Sequence, residues 1–230
     1  KLKLAKIKDN TIFHPKGGDG IELVDCEYVG MQHNIFNNTD VDMTFDYNYT
    51  GFSLDNVSNS VVYNNYAFGK ESSTPNNILT YSFDINGSSS NTYCMNYSTK
   101  SKYGFSFRGT CTSSGRFKSN EIVDHSRGLI IQTSSVLGTQ PYTGNNWSGA
   151  YVYDATANFE QFEQIRLRSQ FTINTCNSPL WPVSISPIEV CENRNSKDWF
   201  YRFDGVNNSV CAAPFPIPIN PVPPDDNTLS

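Results

Sequence analysis

Apolar and polar residues alternate in short bursts along most of this chain, and the bursts repeat. Gly104-Phe105-Ser106-Phe107-Arg108 shows the unit: a small residue, an apolar one, a variable one, an apolar one, then a polar one. The same order returns as GIELV at Gly20, GFSLD at Gly51, TYSFD at Thr80, GLIIQ at Gly128 and AYVYD at Ala150, with KLKLA at Lys1 as an earlier copy. From Gly20 onward the starts lie 31, 29, 24, 24 and 22 residues apart. A recurrence of this length is the mark of stacked structural repeats.

Alternation with period two predicts, in each copy, a strand with one buried face. The inward set is then Ile21/Leu23, Phe52/Leu54, Tyr81/Phe83, Phe105/Phe107, Leu129/Ile131 and Tyr151/Tyr153, every one aliphatic or aromatic. A second apolar run recurs about midway: Ile35-Phe36, Val61-Val62-Tyr63, Tyr93-Cys94-Met95 and Ile122-Val123. Asn, Ser, Gly and Thr fill the gaps, the residues that make turns and bond their own backbone. A strand, a polar turn, a second strand and another turn make one coil of a parallel solenoid. No coil buries its apolar face alone; stacking coils closes the backbone hydrogen bonds and builds a continuous core. An ordinary β-sandwich also spaces its strands with turns, but its strands have no reason to keep the same small first residue. Leucine-rich repeats share the period and need a Leu/Asn consensus that is absent here.

The G-[IFL]-x-[LF] starts, together with the asparagine-rich half-turns in HNIFNN, VYNNY and KSNEIV, resemble the right-handed parallel β-helix of the pectin-lyase-like superfamily. The resemblance covers about residues 1–155. It implies a mainly β, right-handed parallel β-helix solenoid. For activity it is unspecific, because the superfamily includes lyases, glycosidases, phage tailspikes and adhesins.

Residues 1–155 are therefore expected to form the coils, 156–213 an irregular, disulfide-containing C-terminal cap, and 214–230 a Pro-rich tail. The cap segment carries Cys176, Cys191 and Cys211 and would cover strand edges at the end of the solenoid. In the tail, FPIPINPVPP is extended and linker-like, which suggests a further domain beyond it; KLKLAKIK begins as if in mid-coil, as a fragment would.

Composition narrows the function classes. Only 17% of the residues are charged and the net charge is −5, which argues against a nucleic-acid partner, since that needs clustered Lys and Arg. No apolar run approaches the roughly 18 residues of a membrane helix, so membrane insertion is not expected. The six cysteines have no C-x-x-C metal spacing. Cys176 with Cys191 is the expected disulfide, Cys94 with Cys111 a second candidate between neighbouring coils, with Cys26 and Cys211 left over; free buried thiols are the alternative. Disulfides would place the chain in an oxidising, exported setting, secreted or at a cell surface.

The register predicts an outward column of fifth positions: Val24, Asp55, Asp84, Arg108, Gln132 and Asp154. Asp84 and Arg108 would face each other on adjacent coils. Such a pair stabilises a stack, and within the superfamily the resemblance also implies that Asp55, Asp84 and Arg108 could serve an acidic-sugar enzyme, with Arg as base or charge clamp. As a binding surface the same face offers Asp84, Arg108, Gln132 and Asp154. Asp40, Asp42 and Asp46 have carboxylate spacing that could begin a calcium loop, but without the Gly and final Glu of an EF-hand; calcium is the one cofactor the pattern admits. Asp124-His125-Ser126-Arg127 contains an acid and a base side by side, although the R-x-P-x-x-R partner of the pectate lyases is missing.

These features point to an exported β-helix module for binding, adhesion or display, with glycans or cell-surface and secretion proteins as partners, rather than to an enzyme. Coils, a cysteine-bearing cap and a Pro-rich tail resemble surface proteins carried by the type IX secretion system. The competing reading is a polysaccharide lyase or glycosidase on acidic glycans. A lyase must remove a proton and stabilise the charge that forms, and only Asp55, Asp84 and Arg108 line up for that work.

Overall fold

The computed structural model describes residues 2–13, 18–39, 48–69, 79–132, 135–149, 153–157, 168–177, 179–186, 191, 198–203, 205 and 211. After a short β1 (Leu2–Lys3), the chain passes three times per coil through parallel sheets. Coil one has β2 (Lys6–Lys8), β3 (Thr11–Phe13) and β4 (Gly18–Val24), followed by β5 (Cys26–Glu27), which pairs with β1. Coil two has β6 (Gly30–Gln32), β7 (Ile35–Asn37) and β8 (Tyr49–Asp55), and coil three β9 (Val61–Tyr63), β10 (Tyr66–Phe68) and β11 (Thr80–Asn86). Coil four has β12 (Thr92–Cys94), β13 (Tyr97–Thr99) and β14 (Tyr103–Arg108), and coil five β15 (Phe117–Lys118), β16 (Glu121–Val123) and β17 (Arg127–Ile131). Coil six has β18 (Gln140–Pro141), β19 (Asn146–Ser148) and β20 (Tyr153–Ala157); β21 (Phe171–Ile173), β22 (Ile185–Ser186) and β23 (Phe200–Arg202) follow.

The first strands of the coils stack as one sheet (β2-β6-β9-β12-β15), the second strands as another (β3 to β19) and the third strands as the longest (β4-β8-β11-β14-β17-β20-β22). The first face is carried on by β18-β21-β23, joined to the turns around β15 by Gly115 N–H to Thr139 O and Ser119 N–H to Thr143 O. All named pairings are parallel. Stacked parallel coils are thus observed, and they extend beyond residue 155 into the segment expected to be an irregular cap. The tail from 214 lies outside the described residues.

The third-sheet register differs in two places from the sequence expectation. Phe83 stacks between Phe52 and Phe105, and Ile85 between Leu54 and Phe107. The third copy therefore starts at Ser82, not Thr80. The last is displaced by four residues, to a start at Asp154 instead of Ala150, since Ala155 pairs with Leu129. In Thr80–Asn86 apolar residues stand at 81, 83 and 85, so a two-residue slip keeps the alternation and is invisible to it. A bend at the first position of the unit decides the register. There the small residue turns inward beside the next, large one: a Cβ on Gly51 would lie 3.1 Å from the buried Phe36 ring, and one on Gly104 3.0 Å from the His125 ring. Tyr81, one residue earlier, is thereby on the outside, whereas Ser82 is fully buried. Tyr151 and the Tyr153 side chain lie outside the described residues.

Inside, Phe52, Phe83 and Phe105 form a continuous stack with centroids 4.9 and 4.4 Å apart, and Phe117 meets Phe105 and Phe107 edge-on. Corners between the first and second sheets are two residues long. A left-handed residue (Asp9, His33, Asn64, Met95 or Ser119) precedes an asparagine (Asn10, Asn34, Asn65, Asn96 or Asn120). Each of these asparagines donates its side-chain amide, at 2.9–3.0 Å, to the Oδ1 of the next one up, ending at Asn145. The same Oδ1 accepts the neighbour's backbone N–H. That ladder meets the rule that buried polar groups must be paired, and it explains the asparagines beside the midway runs.

Two disulfides are present. Cys176–Cys191 is as expected, but Cys94 is bonded to Cys211, with Cα atoms 6.2 Å apart, and not to Cys111. Cys111 sits buried at the corner after β14, where its thiol donates to the Arg108 and Ile85 carbonyls; Cys26 is also buried and free. Cys94 instead ends β12 on the first sheet, a different side of the stack. Among the described residues no helix is long and apolar enough to cross a membrane.

Candidate functional site

The outer surface of the third sheet carries three polar columns set by the strand register. Asp19, Thr50, Tyr81, Tyr103 and Arg127 form the first; Glu22, Ser53, Asp84, Ser106 and Ile130 the second; Val24, Asp55, Asn86 and Arg108 the third, continued by Gln132 after Ile131. The expected single column of Asp55, Asp84, Arg108, Gln132 and Asp154 is corrected accordingly. Asp84 belongs to the middle column because the third copy is shifted by two residues. Asp154 falls level with Gly128, since Tyr153 pairs with Arg127 and Ala155 with Leu129.

Asp84 and Arg108 still meet, diagonally. Arg108 Nε donates to Asp84 Oδ1 at 3.1 Å and Nη2 to Oδ2 at 2.7 Å, a bidentate, charge-assisted pair. The Asp84 side chain is 9% exposed against 47% for Arg108. The bond to Asp84 raises the guanidinium pKa, against the opposing effect of burial. Around the pair the polar groups bond one another: Asn86 Nδ2 donates to Asp55 Oδ1 at 2.9 Å, Gln132 Nε2 to Ser106 Oγ at 3.0 Å, and Asn56 Nδ2 to Asp25 Oδ1.

Beside the pair stand two residues whose role the sequence reading missed. The half-buried rings of Tyr81 and Tyr103 are stacked, centroids 4.8 Å apart, and Lys102 Nζ lies 5.8 Å from the Tyr103 centroid. Burial, helped by the Asp84 charge, pushes the Tyr81 hydroxyl up to about 12, so it remains a protonated donor. Lys102 is pulled below its ordinary value by burial and by the Arg127 cation. A signal for the pair existed: Tyr81-Ser82-Phe83 and Tyr103-Gly104-Phe105 share the order Tyr, small, Phe, and aligning them gives the observed register.

Chemically, this face offers two neighbouring aromatic side chains, each tipped by a phenolic hydroxyl, beside fixed hydrogen-bonding groups. Asp84 has both oxygens engaged by one guanidinium and is almost covered, a poor arrangement for taking a proton from a substrate. Asp55 accepts from Asn86. The two carboxylates and the arginine of the enzymatic reading are thus near one another but bonded within the sheet. Arg108 keeps donors beyond the two given to Asp84.

His125 lies inside the stack, fully buried. Its Nε2 is 2.7 Å from Ser98 Oγ, and its Nδ1 is 2.8 Å from Ser101 O and 3.2 Å from Ser101 N. Desolvation lowers its pKa to about 4. In the neutral form with the proton on Nδ1, that nitrogen donates to Ser101 O while Nε2 accepts from the Ser98 hydroxyl, and the fully buried ring is poorly placed for acid–base work on a substrate. Asp40, Asp42 and Asp46 lie outside the described residues. Among the described residues no group of three or more His, Cys, Asp or Glu could hold a metal ion. Comparison with family models, with curated proteins and with solved structures returned no match to this chain.

Proposed function

We propose that this chain is an exported, right-handed parallel β-helix module of the pectin-lyase-like type that binds a glycan on the outer face of its third sheet and serves adhesion or display at a cell surface. The observation that carries the reading is the stacked Tyr81–Tyr103 pair beside the Asp84–Arg108 bridge and Gln132. Sugars present C–H groups that pack against aromatic side chains, while their hydroxyls need donors and acceptors held in place, and this face supplies both. Tyrosine suits the task because it brings a large contact area with a polar tip. Two disulfides fit an oxidising compartment. The stacked coils, cysteine-bearing C-terminal segment and Pro-rich tail support a place among exported surface cargo, such as that of the type IX secretion system.

The test is calorimetric titration of the purified chain with neutral and acidic oligosaccharides, comparing wild type with Tyr81→Ala and Tyr103→Ala. Loss of at least about tenfold in affinity is expected, equivalent to about 1.4 kcal/mol, with the melting transition little changed. Undiminished binding in both variants would remove the tyrosine pair from the mechanism. Parallel incubation with acidic polysaccharides and calcium, followed for unsaturated product, tests the enzymatic reading; turnover abolished by Arg108→Ala would favour it.

A further inference from the structure

In a stack of coils each coil touches only its neighbours, so an end coil is held by a single interface and frays first. The C-terminal segment of this chain runs against that pattern. β23 lies four strand levels above β12, by way of β21, β18 and β15, a rise of about 19 Å at about 4.8 Å per level. Phe203 still bonds at the top, its N–H donating to Ile173 O at 3.0 Å. Gly205 lies against the ring of Tyr142, the residue that follows β18, so closely that a Cβ would overlap it. Cys211 is four levels lower, bonded to Cys94 of β12. Three fixed points therefore descend along the first face while the coils ascend.

β12 is flanked in its sheet by β9 below and β15 above. Cys94 itself is almost fully covered. The covalent link thus joins the end of the chain to an internal strand and encloses a loop with a sequence separation of 117, within which Cys176–Cys191 closes a smaller one. Tension on any residue after Cys211 has a covalent path to Cys94. Coils between the two cysteines lie outside that path.

We propose that the Cys94–Cys211 bridge makes the C-terminal segment a force-carrying strap: force applied beyond Cys211 enters the stack at β12 and bypasses the coils above it. To yield, β12 must separate from neighbours on both sides, whereas an unstrapped end coil peels from one. A surface module pulled from its C-terminal side would keep its upper coils folded under load. The inference does not depend on the third sheet binding a glycan.

Single-molecule stretching of the full chain between its C-terminus and a handle at Asn59, a corner of coil three with coils on both sides, tests this. With the bridge intact, total extension falls short of that seen in a thiol-free phosphine reductant by about 400 Å, from the 117-residue separation at about 3.5 Å per residue. Cys211→Ser leaves Cys94 in its strand and removes only the bond. Its traces should regain about 350 Å of that length, since the Cys176–Cys191 loop with its separation of 15 stays closed, in early, low-force steps, and the intact protein should first rupture at higher force. Identical traces with and without the bridge would overturn the strap. So would a missing length combined with an unchanged first rupture force, since the segment would then hide chain without carrying load.

Discussion

Acidification should destabilise this protein through one interior residue. His125 is fully buried and neutral, with its nitrogens on Ser98 and Ser101. Its pKa falls from 6.5 to about 4 because desolvation penalises the imidazolium; bonds to Ser101 and Ser98 and the charge of Asp124 offset this only in part. In the unfolded chain the ring protonates near 6.5, while in the folded one it resists until about pH 4. The unfolded state therefore binds more protons throughout that window. Stability from this group is complete above pH 6.5, drains as pH falls towards 4, and is not lost further below. The span from 6.5 to about 4 corresponds to about 3 kcal/mol, at about 1.4 kcal/mol per pH unit. Urea unfolding at a series of pH values, for wild type and His125→Gln, isolates it, because surface carboxylates contribute to both. The wild-type advantage should shrink by about that amount between pH 7 and 4. A difference between the two proteins that stays flat across the window would refute the reasoning, as would an imidazole titrating near 6.5 in the folded protein by NMR.

Three further outcomes follow from the core and corners. Phe107→Ala should cost about 3–5 kcal/mol in urea unfolding, from lost burial and the cavity left behind, because Phe107 is fully buried between Ile85 and Ile131 and meets Tyr93 and Phe117 edge-on; Phe107→Asp should prevent folding. Asn65→Ala removes the acceptor for the buried Asn34 backbone N–H (3.0 Å) and the donor to Met31 O (2.9 Å). At about 1–3 kcal/mol for each orphaned group, a loss of several kcal/mol is expected, read from the urea midpoint. Met95 is half exposed yet held at φ 56°, where the equivalent corner of the previous coil has Asn64. Met95→Asn should raise stability by about 1 kcal/mol, since asparagine tolerates the left-handed region better, and a lower melting temperature would contradict this.

Periodicity alone determined that the chain stacks strands. The inward aromatic and aliphatic pairs from Phe52 to Ile131 are buried, with the exception of Tyr81, because burying alternate residues is a local property of an extended backbone. The meeting of Asp84 with Arg108 was legible for the same reason: strands about 4.8 Å apart bring such residues within reach even when the register is misjudged by two. What the pattern could not decide was that register. Shifting by two residues keeps every side chain on its face, and the choice rests on steric fit at the bend, where Gly51, Ser82 and Gly104 must face Phe36, Ser101 and His125. Only the tertiary structure put Tyr81 beside Tyr103 and created the aromatic pair. It alone also decided the partner of Cys94: Cys111 is nearer in sequence but turns into the core at another corner, whereas Cys211 is brought back across four strand levels. Alternation is written into neighbouring residues, but which coil lies level with which, and where the chain end returns, depends on contacts between residues far apart in the sequence.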